Sequence, residues 1–155
     1  MSISFLTREG YETLQQELDT LRNERREEIA ARLRAAIDEG GELIENAEYE
    51  AAKNEQAFVE GRIKELEILL ATARIVDEEK LPPGVIHVGS KVVVQEDGID
   101  PEEYTIVGAA EAKPLVGRIS NESPLGKALM NHKAGETVEV NAPAGPFSVK
   151  ILEVK

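Results

Sequence analysis

Residues 36–52 read AIDEGGELIENAEYEAA, and the fold turns on how this stretch is parsed. Before it, from Thr7, and after it, as far as Ile75, the chain is dense in Glu, Arg, Ala and Leu and contains no Pro. That composition favours helix. Gly40 and Gly41 stand between the two halves, and paired glycines both end a helix and permit the φ > 0 conformations of a tight reversal. The stretch therefore predicts two helices folded back on each other, with a cluster of acids at the fold-back point.

Each arm carries its own apolar pattern. Leu14, Leu18, Leu21, Arg25, Ile29, Leu33 and Ala36 follow steps of mostly four and three, the seam of a coiled coil interrupted by one cation. Ala47, Ala51, Ala52, Phe58, Ile63, Leu66, Leu70 and Ile75 supply the facing stripe. Thr7 is the expected N-cap of the first helix, with Glu9 near its positive end. At ~1.5 Å per residue, arms of about 30 residues make a hairpin of ~45 Å. Alanines 30, 31, 35, 36, 47, 51 and 52 make its tip narrow.

The pattern changes at Pro82-Pro83-Gly84, which cannot continue a helix. Short β-branched runs at 91–95, 103–107, 115–119, 137–141 and 147–154 alternate with Gly, Asn, Asp and Pro and read as strands. One helix is expected at 124–131, with Ser123 as N-cap and Pro124 at its first position. The predicted organisation is α+β: a coiled-coil hairpin over 1–76, a linker over 77–84, and an antiparallel β domain with one short helix over 85–155.

Composition narrows the function. The 155 residues suit two small units better than one large core, because aromatics are only 4% and Trp is absent. Thirty acids against 18 bases give a net charge of −12, which opposes unaided binding to a phosphate backbone. The absence of Cys excludes disulfides, thiolate metal sites and a Cys nucleophile. No apolar run is long enough to span a membrane, and no leader pattern opens the chain, so a cytoplasmic protein is expected.

Between Ala35 and Ala52 lie Asp38, Glu39, Glu42, Glu45, Glu48 and Glu50, without a single Lys or Arg. Two readings stand. Carboxylates near a helix N-terminus gain roughly 0.3–1 kcal/mol each, so the acids could simply support the second helix. Alternatively they hold a cation, which without His or Cys nearby would be a hard one such as Mg²⁺; that ion commonly takes one or two protein carboxylates and fills its remaining positions from elsewhere. A tip of this kind is an incomplete site, to be completed by a partner.

The run Gly41-Glu42-Leu43-Ile44-Glu45-Asn46-Ala47-Glu48-Tyr49, followed by Ala51-Ala52, resembles the hairpin-tip signature of the GreA/GreB transcript cleavage factors. Thr7-x-x-Gly10, Glu60-Gly61-Arg62-Ile63 and Ser123-Pro124-Leu125-Gly126-Lys127-Ala128-Leu129 resemble that family too, so the likeness spans the chain in one order. The resemblance implies an FKBP-like second domain and a partner, bacterial RNA polymerase. The hairpin would enter the secondary channel of the polymerase and stimulate its Mg²⁺-dependent cleavage of backtracked RNA 3′ ends, without being a nuclease itself. Glu42 and Glu45 fall on the family's acidic pair, sharing Mg²⁺ with the polymerase and binding none stably in the free protein, and Asn46, Glu48 and Tyr49 support them. Arg22, Arg25, Arg26, Arg32 and Arg34 resemble a basic patch facing the RNA 3′ end, with Arg25, Arg26 and Arg32 as its RNA-facing members, although Arg beside Glu at helical spacing also reads as an exposed ion-pair face. Glu122, Ser123 and Pro124 match the loop that grips the channel rim, and the same residues read as an acidic helix N-cap. His132, just after the short helix, is expected to be structural, and His87 has no assigned partner.

Two departures from the family's pattern are Glu42, where Asp is usual, and the doubled Gly40-Gly41. They keep open a rival in which the factor occupies the same channel and inhibits. A chaperone or prolyl isomerase is a rival of another class, disfavoured because only Tyr104 and Phe147 could line an aromatic pocket in the second domain. A coiled-coil spacer with no chemistry is the plainest alternative. The free protein is expected to be a monomer.

Overall fold

The computed structural model describes residues 4–40, 47–77 and 81–155, with residues 39 and 40 described by backbone alone. The chain divides into two compact units, Glu12–Thr72 and a second formed by Met1–Tyr11 together with Ala73–Lys155. This division places the first residues with the C-terminal unit, whereas the sequence reading grouped them with the hairpin.

The helical unit is built from α1 (Arg8–Thr20) beyond its first turn, a π-helical turn (Leu21–Arg25), α2 (Arg26–Gly40) and α3 (Ala47–Thr72). Ion pairs Arg22–Glu67, Arg26–Glu60 and Arg32–Glu55 run in opposite senses along the two arms, as antiparallel packing requires. Leu14, Leu18, Ile29 and Ala36 are buried on the first arm, and Ala52, Val59, Ile63, Leu66 and Leu70 on the second. The apolar phase thus resumes at Ile29 after the π turn, and Leu21, Arg25 and Leu33 are only half-buried.

The facing stripe differs from expectation by one position. Phe58 is 76% exposed and Val59, at 4%, takes the seam in its place. One residue is about 100° of helix rotation, so Val59 lies in phase with Ala52, Ile63 and Leu66 and Phe58 does not. Ala47 and Ala51 are exposed, and Ile75 has left the helix altogether for a two-residue strand, Arg74–Ile75.

In the other unit, β1 (Phe5–Leu6) pairs parallel with β2 (Arg74–Ile75), and Leu6 is fully buried. A separate five-stranded sheet has the order β5-β4-β3-β7-β6, from β3 (Lys91–Glu96), β4 (Glu102–Val107), β5 (Arg118–Ser120), β6 (Thr137–Ala142) and β7 (Gly145–Val154). Neighbours are antiparallel except β4 and β5, which run parallel. The strands alternate buried and exposed residues, the signature of a sheet covered on one face. Val92, Val94, Ile106, Ile119, Val138, Val140, Val149 and Ile151 form that inner face, closed by Ile86, Val88 and Leu129, the last from α4 (Pro124–Leu129). The strand expected at 115–119 begins later, because Pro114–Val116 form a 3-10 turn that leaves Leu115 fully exposed.

Candidate functional site

The hairpin tip is the candidate site. Glu42, Glu45 and Asn46 lie outside the described residues. Asp38, on the last turns of α2, is exposed. Glu48 and Glu50 occupy the first turn of α3 and are exposed, where the positive end of the helix favours their charge. Tyr49 is half-buried, with the Lys53 ammonium 5.9 Å from its ring centroid, one turn along α3. Among the described residues no group of three or more His, Cys, Asp or Glu is placed to hold a metal ion.

Behind the tip the arginines are paired across the two arms. Arg26 meets both Glu60 carboxylate oxygens at 2.7 Å. This hydrogen-bonded pairing lowers the Glu60 pKa and raises that of Arg26. Arg25 and Arg32 converge on Glu55, and Arg25 also reaches Glu28 at 2.9 Å. Further from the tip, Arg22 pairs with Glu67 at 2.7 Å and Arg62 with Glu17 at 2.8 and 3.1 Å. Arg34 is exposed and has no ion pair among the described residues. The arrangement braces the rod with opposite charges, while Asp38, Glu48 and Glu50 form no ion pair among the described residues.

The second cluster expected from sequence is brought together at the start of α4. Ser123 caps the helix: its hydroxyl accepts from the Gly126 N–H at 3.1 Å and donates to the Ser120 carbonyl at 2.6 Å. The Glu122 N–H is held by the Ser120 hydroxyl at 3.0 Å, so the loop is locked from both sides. Gly126 is required by this packing, since a Cβ there would lie 2.0 Å from the Ser120 carbonyl oxygen. Glu122 and Pro124 remain exposed and, with Lys127, Ala128, Glu139 and Asn141, line a depression of about 410 Å³. The cap reading and an outward-facing acidic loop are therefore compatible.

Sequence reasoning missed Glu111. Its side chain is 3% exposed. It accepts the Thr7 N–H at 2.9 Å, the Thr7 hydroxyl at 2.6 Å and the Gly108 N–H at 3.4 Å, with Arg118 also at 3.4 Å. Thr7 in turn caps α1 through the Gly10 N–H at 3.0 Å. A Cβ on Gly10 would sit 2.0 Å from Glu111 Oε1, which explains the Thr7-x-x-Gly10 spacing: one residue caps and clamps, the other makes room. The spacing was the available signal, but nothing local points to a partner 104 residues away.

His132 Nδ1 lies 3.2 Å from a Glu136 carboxylate oxygen, and His87 Nδ1 lies 2.7 Å from the Val88 carbonyl oxygen. No described helix is long and apolar enough to cross a membrane.

Similarity to known proteins agrees with this layout. Residues 4–75 match the family described as transcription elongation factor, N-terminal, and residues 81–155 match transcription elongation factor, GreA/GreB, C-term. The chain is 48% identical over 151 residues to the transcription elongation factor GreA of Acetivibrio thermocellus, covering 97% of this chain and 94% of that protein. It is 48% identical over 151 residues to its counterpart in Limosilactobacillus fermentum, covering 97% and 95%. Among solved structures, the GreA factor homolog 1 protein of Thermus thermophilus is 32% identical over 99% of each chain, with a TM-score of 0.46. With both halves matched and near-complete coverage of its relatives, the chain belongs to the GreA/GreB family of transcription elongation factors.

Proposed function

We propose that this elongation factor stimulates cleavage of backtracked RNA by RNA polymerase in the cytoplasm, entering the polymerase secondary channel with its hairpin tip. The observation that carries the reading is the contrast in charge along the hairpin: Arg22, Arg25, Arg26 and Arg32 of the first arm pair with glutamates of the second, whereas residues 38–50 hold six acids and no base. An all-oxygen donor set suits Mg²⁺. Glu42 and Glu45 are the residues that would hold it jointly with the polymerase, and the ion would supply water activation and charge neutralisation at the scissile phosphate. Asn46, Glu48 and Tyr49 would orient the pair. Glu122, Ser123 and Pro124 would dock on the channel rim, presented by the locked N-cap of α4.

For the RNA-facing role, Arg25, Arg26 and Arg32 are engaged by Glu55, Glu28 and Glu60. Contact with RNA would require exchanging those partners; Arg34, which has no ion pair among the described residues, needs no such exchange. The isomerase alternative is not favoured. The depression that includes Tyr104 and Phe147 measures about 150 Å³, below the ~300–1,000 Å³ of ordinary ligand pockets.

The test is RNA cleavage in a stalled, backtracked bacterial polymerase complex, comparing the native chain with Glu42→Ala/Glu45→Ala. Cleavage stimulated by the native chain and lost in the variant, with binding retained, is the expected result. Binding of the native chain with suppression of both cleavage and elongation would establish the inhibitor, with the Gly40-Gly41 turn and Glu42 as its cause.

A further inference from the structure

The unit containing the sheet carries a cleft that the hairpin chemistry does not use. It measures about 850 Å³, within the ~300–1,000 Å³ of small-molecule sites. Arg8, Lys91 and Arg118 line it, three cations gathered in one place on a chain of net charge −12. Arg8 and Lys91 are exposed and form no ion pair among the described residues. Arg118 touches the buried Glu111 through Nη2 alone, at 3.4 Å, and that carboxylate is already served by Thr7 and Gly108, so most of the guanidinium's five donors remain available.

The rest of the lining is of two other kinds. Val76, half-buried, gives it an apolar patch above the fully buried Val107, and Glu9 and Asp77 place carboxylates within it. Cations alone would suit any anion, but the carboxylates would repel a bare one. A ligand matching all three features carries clustered negative charge at one end and a flat, partly apolar group with N–H and O–H donors at the other.

We infer that this cleft binds a nucleoside polyphosphate, its phosphates on Arg8, Lys91 and Arg118, its base against Val76, and its base or ribose donors on Glu9 and Asp77. The inference is independent of the hairpin's role at the polymerase. It is tested by calorimetric titration of the full chain, without polymerase and in EDTA, with ATP, GTP and inorganic pyrophosphate. Saturable one-to-one binding of a nucleoside triphosphate, tighter than that of pyrophosphate and weakening as salt rises, is expected. Arg8→Gln/Lys91→Gln, which removes two exposed charges and leaves the Glu111 cluster alone, should weaken binding by about tenfold or more with unchanged circular dichroism. Glu9→Gln should weaken the nucleotide while tightening pyrophosphate, a split that a general electrostatic effect would not produce. Absence of saturable binding at millimolar ATP and GTP, equal affinity for pyrophosphate, or indifference to the double substitution would each overturn the assignment.

Discussion

The helical hairpin and the sheet-bearing unit are held together in different ways. The hairpin has one thin apolar seam, from Leu14 to Ala36 on one arm and Ala52 to Leu70 on the other, flanked by ion pairs in partial contact with water. The sheet-bearing unit has a closed core around Ile86, Val92, Ile106, Leu129 and Ile151, and its N-terminal segment is clamped by a buried carboxylate. Exposed ion pairs add little stability, and salt weakens them further. The rod is therefore the softer of the two by construction.

The sharpest way to break this comparison is to remove one buried residue from each side. Leu66 and Ile151 are both fully buried, and each change to Ala should cost about 2–5 kcal/mol. Leu66→Ala is expected to melt helical signal at 222 nm while the amides of β3 and β7 stay protected from exchange, and Ile151→Ala should expose those amides. Loss of both signals together in both variants would mean that the units unfold as one.

Glu111→Gln comes next. The amide would turn a donor toward Thr7 or lose the Arg118 charge, at a cost of about 1–3 kcal/mol in denaturant unfolding. Helical signal from the hairpin should be retained. Smaller still is Arg62→Gln on the hairpin, where the paired Glu17 is partly exposed; about 0.2–1 kcal/mol is expected, shrinking in high salt.

The smallest effect sharpens the picture of charge in the sheet. Tyr104 donates its hydroxyl to Glu102, and this bond, with partial burial and the nearby Glu102 and Glu96 charges, pushes the phenol up to about 12. A raised folded pKa contributes stability that is complete below the ordinary value of 10.0 and is lost as pH climbs through about 12. Glu102→Gln should return the Tyr104 titration, followed by its ring resonances, toward 10.0.

Much of this architecture was legible locally. The heptad-like steps and the Ser123-Pro124 cap signal are short-range patterns with direct physical meaning, and they place the arms and α4; the turn expected at Gly40-Gly41 runs into residues 41–46, outside the described ones. Phe58 was misplaced because periodicity resolves a face only to within a residue, and its size argued for burial where Val59 has the better phase. Glu111, the parallel pairing of Phe5–Leu6 with Arg74–Ile75, and the parallel β4 and β5 depend on partners distant in sequence, which local patterns do not encode. The site was legible as chemistry, six acids without a base, and as a family signature, but Glu42 and Glu45 themselves lie outside the described residues.

The central claim is that the tip carboxylates help to hold the Mg²⁺ used in transcript cleavage, and the magnesium dependence of cleavage tests it most directly. Cleavage rates in a backtracked polymerase complex would be titrated with Mg²⁺ at saturating factor, for the native chain and for Glu45→Gln. A shift of the Mg²⁺ midpoint to higher concentration in the variant, with unchanged affinity for the polymerase, is the predicted result. An unchanged Mg²⁺ midpoint with a lower plateau would contradict it and reduce the acids to a steric or positioning role.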